Sequence, residues 1–191
     1  MNKIYFISVD DLKDYTPINS NVDDKRLIMG IYDAQEIYIQ GTLGGKLYNK
    51  LKTIVDDGTI STLTNYKILL DEYIIPTLIR WSMVEILPHT SIKIENKGVQ
   101  QQTSDNSNPV ELGTLKYYIA LNKDKAEFYQ KRMIDYLLQN SSLYPEYLST
   151  NRFDEMIPDK NAYFSGIELD GQNINDEDLI RDHSPYRKRF F

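Results

Sequence analysis

From Leu112 onward, Leu115, Ile119, Asn122, Ala126, Tyr129, Met133 and Tyr136 follow at alternating spacings of three and four. That rhythm lines one face of an α-helix. At 1.5 Å rise per residue it predicts a helix of about 40 Å, the longest in the chain. Asn108 reads as its N-cap, with Pro109 at the first helical position and Glu111 at the third, where a fixed φ and an acidic side chain suit a helix start. The fold class is therefore mainly α.

Three further helices are predicted upstream. Leu27, Ile31, Ala34 and Tyr38 are spaced by four, three and four, with Asp23 and Asp24 at the positive end of their helix. Gly41, Gly44 and Gly45 interrupt this run, and Leu47, Leu51 and Ile54 resume it until Asp57-Gly58. The glycines predict a tight turn between two helices, because glycine alone enters positive φ without penalty. A third run over residues 64–87 carries Leu63, Leu70, Ile74, Leu78, Trp81 and Val84 broadly on one side. Pro76 should bend or split it, and Pro88 should end it. Ahead of these, Ser8 is placed to cap a helical turn with Asp10, Asp11 and Leu12, forming an N-terminal strap that Thr16-Pro17 stops.

After Pro88 the period changes to two. Ile92 and Ile94 alternate with polar neighbours, and Asn96-Lys97-Gly98 supplies turn chemistry before Val99, which predicts a β-arm over about residues 90–103. The expected architecture is a bundle of about four helices over residues 1–148, with this arm inserted before the longest helix. Residues 149–191 are expected to form an extended C-terminal tail, broken by Pro158, Gly166, Gly171 and Pro185. In it Asp170-Gly171 is a favoured pair for turning a small hairpin. The chain ends Tyr186-Arg187-Lys188-Arg189-Phe190-Phe191, a basic cluster followed by two aromatics, a combination suited to anchoring on a partner.

Composition removes several function classes. The 191 residues carry a formal net charge of −6, which disfavours general binding to phosphate backbones. There is no cysteine, so disulfides and thiolate metal sites are excluded. No segment approaches the ~20 apolar residues needed to cross a bilayer, so no membrane partner is expected. His89 and His183 are the only histidines, and neither has a partner at a spacing that acid–base catalysis or an HExxH site requires. Asp10-Asp11, Asp23-Asp24 and Asp56-Asp57 are sequence neighbours whose side chains diverge by about 100° on a helix. Gly41-Thr42-Leu43-Gly44-Gly45-Lys46 lacks the first glycine and the final Ser/Thr of a phosphate loop. No catalytic residue, metal or cofactor is expected. The fifteen tyrosines provide amphipathic rings for a core or for protein contacts.

The order of several segments carries a resemblance. Asn21-Val22-Asp23, Ala34-Gln35, Leu43-Gly44-Gly45-Lys46-Leu47-Tyr48 and Asn96-Lys97-Gly98-Val99 resemble those of tailed-bacteriophage head-to-tail connectors. Trp81-Ser82-Met83-Val84-Glu85-Ile86-Leu87-Pro88 and Leu143-Tyr144-Pro145-Glu146-Tyr147-Leu148 are similar to the versions in crAss-like and related Bacteroidetes phages. The likeness covers residues 5–148. It implies a non-enzymatic virion protein of the neck, assembled in the host cytoplasm and repeated as a ring, with twelve copies implied. That ring would join the portal vertex to the tail and let DNA pass. Its partners would be further copies of itself, the portal, and neighbouring neck or tail proteins. The contact residues expected are Ile92, Ile94, Lys97 and Val99 of the arm and Tyr186, Arg187, Lys188, Arg189, Phe190 and Phe191 of the tail. Two other readings remain open: a DNA-associated or regulatory helical accessory protein, and an enzyme with a carboxylate site.

Overall fold

The structure, a computed structural model, describes residues 3–90, 92–95, 98–101, 110–148 and 156–159, with the backbone alone given for 92–95 and 98–101. Among the described residues there are six α-helical segments: α1 (Val9–Asp14) lies in the N-terminal strap, and α2 (Asp24–Ala34), α3 (Gln40–Asp56), α4 (Thr64–Ile68), α5 (Ile75–Thr90) and α6 (Leu112–Gln139) form four rods. The N-terminal strap begins α1 with a capping box. The Asp11 N–H donates to Ser8 Oγ at 3.1 Å, and the Ser8 N–H donates to the Asp11 carboxylate at 2.8 Å. These bonds satisfy two groups that a helix start otherwise leaves open.

The first rod is α2 extended through a π-helical turn, Gln35–Ile39, into the first residues of α3. Asp23 caps it, accepting from the Lys25 N–H at 3.0 Å. Leu27, Ile31 and Ala34 are buried as their spacing predicts, and the wide turn lets the adjacent Gln35 be buried as well. The rod breaks at Gly44, where φ is +73° and ψ is 162°. The expected glycine turn is therefore a kink made by one residue. The second rod runs from it to Asp57, and Gly58 closes it at φ +66°.

The third rod corrects the expected break at Pro76. Residues Leu69–Ile74 form a second π-helical turn directly before it, with the Ile75 N–H donating to the carbonyl of Leu70. A turn of five residues sets aside the carbonyl that the proline ring would meet, so α4 and α5 form one rod. Pro88 does not end α5 either. The helix continues to Thr90, with His89 in its last turn, so the proline sacrifices only one terminal bond. Nor is α5 apolar on one side only. Thr77, Leu78, Ile79, Trp81, Ser82, Met83 and Ile86 are all buried, because α5 packs between α2 and α6. Gly30 permits the close approach of α2: a Cβ there would lie 2.3 Å from Ile86 Cγ1.

Between α5 and α6 two strands, β1 (Ile92–Glu95) and β2 (Gly98–Gln101), pair antiparallel, with Ile92 opposite Gln101 and Ile94 opposite Val99. The fourth rod, α6, starts later than expected. Glu111 occupies its N-cap position rather than the third helical one, and among the described residues no side chain caps it. Asn108 and Pro109 lie outside the described residues. Its 28 residues span about 42 Å.

Tyr38, Tyr66 and Tyr144 close the core with their rings packed inward and their hydroxyls bonded. Tyr38 stacks on Trp81 with centroids 3.6 Å apart and donates to Glu85 at 2.7 Å. The Trp81 Nε1–H donates to Gln130 Oε1, whose amide donates in turn to Thr42 Oγ1. At the far end of α6, Tyr144 donates to the carbonyl of Asn65 at 2.8 Å, and Tyr66 donates to Glu146 at 2.9 Å. Pairing each polar tip in this way removes the desolvation cost that a bare buried hydroxyl would carry.

The tail expectation needs one correction. Residues 156–159 lie against the Gly44 kink of their own chain. The Gly45 N–H donates to the carbonyl of Met156 at 2.8 Å, and the Asp159 N–H donates to the carbonyl of Gly41 at 2.9 Å. Four residues of the segment expected to be an extended tail thus pack on the bundle. The hairpin expected around Asp170-Gly171 lies outside the described residues.

Candidate assembly surface

The two halves of α6 face different surroundings. In the C-terminal half Ala126, Met133, Ile134 and Leu137 are buried, again at helical spacing. In the N-terminal half the expected stripe does not reach the core: Leu115 and Ile119 are only partly covered, and Leu112 is 64% exposed. Tyr117 and Tyr118 are exposed too, as are Val110 just ahead of the helix and Phe128 just past its middle. This stretch therefore shows solvent several apolar and aromatic side chains among the exposed Lys116, Lys123, Asp124 and Lys125.

Beside it runs a groove of about 430 Å³ whose walls include Pro17, Val22, Met83, Ile86, Tyr118 and Leu121. The strap residues after α1 form one wall, the end of α5 the floor, and α6 the other wall. Arg80 and Lys125 stand at the groove. A small open apolar channel with two cations at its border suits a peptide segment or helix edge carrying acidic flanks. Among the described residues no group of three or more histidine, aspartate or glutamate side chains could hold a metal ion.

Of the expected contact residues, Ile92, Ile94 and Val99 lie on the β1–β2 ladder, with Ile94 and Val99 directly opposite. Lys97, Tyr186, Arg187, Lys188, Arg189, Phe190 and Phe191 lie outside the described residues. The ladder and the α6 surface flank the same connection, since β2 is followed in sequence by α6. The sequence reading missed the α6 surface. Its signal was present in Tyr117, Tyr118 and Phe128, three aromatics that fall off the three-and-four stripe.

Tyrosine electrostatics separate these surfaces from the core. Burial pushes Tyr38 and Tyr48 far up, and their bonds to Glu85 and Glu36 add to it. Burial, with the bond to Glu146, pushes Tyr66 up to about 12. These hydroxyls stay neutral donors and serve as structural fasteners.

A family model matches residues 39–156, more than half of the chain. It begins at the end of the first π-helical turn, crosses the Gly44 kink and the third and fourth rods, and ends on the first residue seated at that kink. The chain belongs to the family of unknown function DUF6712. No curated protein and no solved structure matches the chain. The DUF6712 region thus includes the kink at Gly44, the β1–β2 ladder and α6, and leaves out residues 1–38, with the strap and α2, and residues 157–191.

No helix among the described residues is long and apolar enough to cross a membrane. The exposed aromatics of α6 stand on a helix whose Ala126, Met133 and Leu137 belong to the core.

Proposed function

We propose that this chain is a structural subunit of a ring in the neck of a tailed phage, joining the portal vertex to the tail. The observation that carries the proposal is the division of α6. The C-terminal half packs in the core, and the N-terminal half presents Leu112, Tyr117 and Tyr118 to solvent, with Tyr118 lining an apolar groove. A helix held by the core that carries exposed aromatic side chains next to such a groove offers neighbours a surface to pack on.

A closed ring requires two different surfaces on each subunit, meeting head to tail. The α6 surface and groove supply one. The β1–β2 ladder, working as an arm, supplies the other by adding strands or side chains to the next copy. Arg187, Lys188 and Arg189 with Phe190 and Phe191 anchor the tail on the portal or on a tail protein. The net charge of −6 supports passage of DNA through the lumen without adhesion, by like-charge repulsion.

The test is a double variant, Tyr117→Glu with Tyr118→Glu. Both side chains are exposed, so monomer stability should change by only about 0.5 kcal/mol each. Ring formation on a portal should be lost. Rings of normal yield from this variant would refute the assignment, and salt-dependent retention of DNA by the wild-type chain would favour a DNA-associated role instead.

A further inference from the structure

The kink at Gly44 is the end of one helix and the start of the next. Helix ends leave carbonyls unpaired and helix starts leave N–H groups unpaired, so the kink sets a free carbonyl, that of Gly41, near a free amide, that of Gly45. Both are taken by one extended stretch of chain, through the Met156 carbonyl and the Asp159 N–H. Pro158 fills the space between. A Cβ on Gly44 would lie 2.7 Å from Pro158 Cδ, and φ of +73° excludes other residues on conformational grounds as well. The glycines thus build a notch that reads backbone polarity, spacing and a proline.

The occupant is lightly held. Two backbone bonds tie it down, while Met156 and Ile157 are 49% and 64% exposed. Close by, the buried Tyr147 hydroxyl has no partner among the described residues and is raised by burial and by the nearby Asp159 carboxylate. Segments with so few buried contacts open at low free energy. Seven residues, 149–155, join this segment to the bundle. Eight peptide steps from Leu148 to Met156 reach at most about 27 Å.

We infer that this notch is an exchange site: in the assembled ring, residues 156–159 of one copy leave their own notch and seat in that of the neighbouring copy. Exchange recreates the same two hydrogen bonds and the same proline contact, so it costs little and turns an internal contact into a head-to-tail link. The inference rests on the ring proposed above. It requires the neighbour's notch to stand within about 27 Å of the donor's Leu148.

The chain has no cysteine, which permits a direct test. A Cβ on Gly41 would lie 3.3 Å from the Asp159 carboxylate, so Gly41→Cys and Asp159→Cys face each other in an occupied notch. Chains carrying one substitution each, distinguished by tags, are mixed, assembled on a portal and oxidised. With neighbours drawn at random, about half of the Gly41→Cys chains should form a disulfide to an Asp159→Cys chain. Rings without this mixed disulfide, together with efficient closure within a chain carrying both substitutions, overturn the exchange and leave the ring standing. A mixed disulfide without rings supports exchange and counts against the ring. Monomers that never cross-link overturn both. Thermal melting of the reduced chains checks their folding.

Discussion

The side-chain amide of Gln35 pairs with the backbone around Phe6 from both sides. Its Oε1 accepts the Phe6 N–H at 2.9 Å, and its Nε2 donates to the carbonyl of Ile4, also at 2.9 Å. The same Nε2 donates to Tyr48 Oη at 3.0 Å, and Tyr48 donates to Glu36 at 2.6 Å. Gln35 is 1% exposed. One buried amide therefore fastens the N-terminal strap to the first and second rods. Replacing it by leucine strands a buried N–H and a carbonyl, each costing about 1–3 kcal/mol. We expect Gln35→Leu to lose about 2–3 kcal/mol, with hydrogen exchange at residues 4–7 accelerating before the rest of the bundle. Uniform loss of protection, or no loss, would contradict this role.

Gly44→Ala and Gly58→Ala separate two costs of positive φ. At Gly58, with φ +66°, nothing among the described residues lies within 4 Å of a new Cβ, so the left-handed backbone is what is penalised, by about 1–2 kcal/mol. At Gly44 a Cβ also strikes Pro158. Gly44→Ala should therefore cost more than Gly58→Ala in a thermal melt, and it alone should expose the amides of Gly45 and Asp159 to exchange.

Two tyrosines near the end of the bundle should respond oppositely to loss of the hydroxyl. Tyr144 donates to the carbonyl of Asn65 at 2.8 Å, and Tyr144→Phe should cost about 1 kcal/mol. The Tyr147 hydroxyl is buried with no partner among the described residues. Tyr147→Phe should be neutral or stabilising by about 1 kcal/mol. Equilibrium unfolding in urea checks both, and equal destabilisation would contradict the assigned environments.

Alkali should unfold the chain through the same groups. Burial, first, and then the Glu146 bond raise Tyr66 from 10.0 to about 12, and burial with Asp159 raises Tyr147 from 10.0 to about 12. Between pH 10 and 12 the folded chain holds protons that the unfolded chain has lost, so stability falls as pH rises through that window. The contribution is complete below pH 10. Melting temperature should drop across this range, and the drop should be shallower in a Tyr66→Phe, Tyr147→Phe double variant.

Much of the scaffold was legible because simple periodicity reports a simple environment. Leu27, Ile31 and Ala34, and then Leu47, Leu51 and Ile54, each face one core and are buried. The Ser8 cap and the Gly58 stop were readable for the same reason, as local chemistry with one structural solution. Legibility failed where a residue's environment is set at long range. Gln35 is buried because the strap passes over it, and Pro76 is tolerated because a π-helical turn precedes it. Leu112 keeps the helical rhythm of Ala126 and yet stands in solvent, because α5 packs on only part of α6's length. The seating of residues 156–159 had a half-visible signal in Gly41, Gly44 and Gly45, which were read as a turn when they form a turn and a receptor.

The most direct test of the ring is negative-stain imaging of the purified chain, alone and after incubation with a portal. The account predicts closed rings on the portal, with density continuous around the channel, whether or not the chain is monomeric alone. A chain that remains monomeric in the presence of the portal and leaves its surface bare would contradict it.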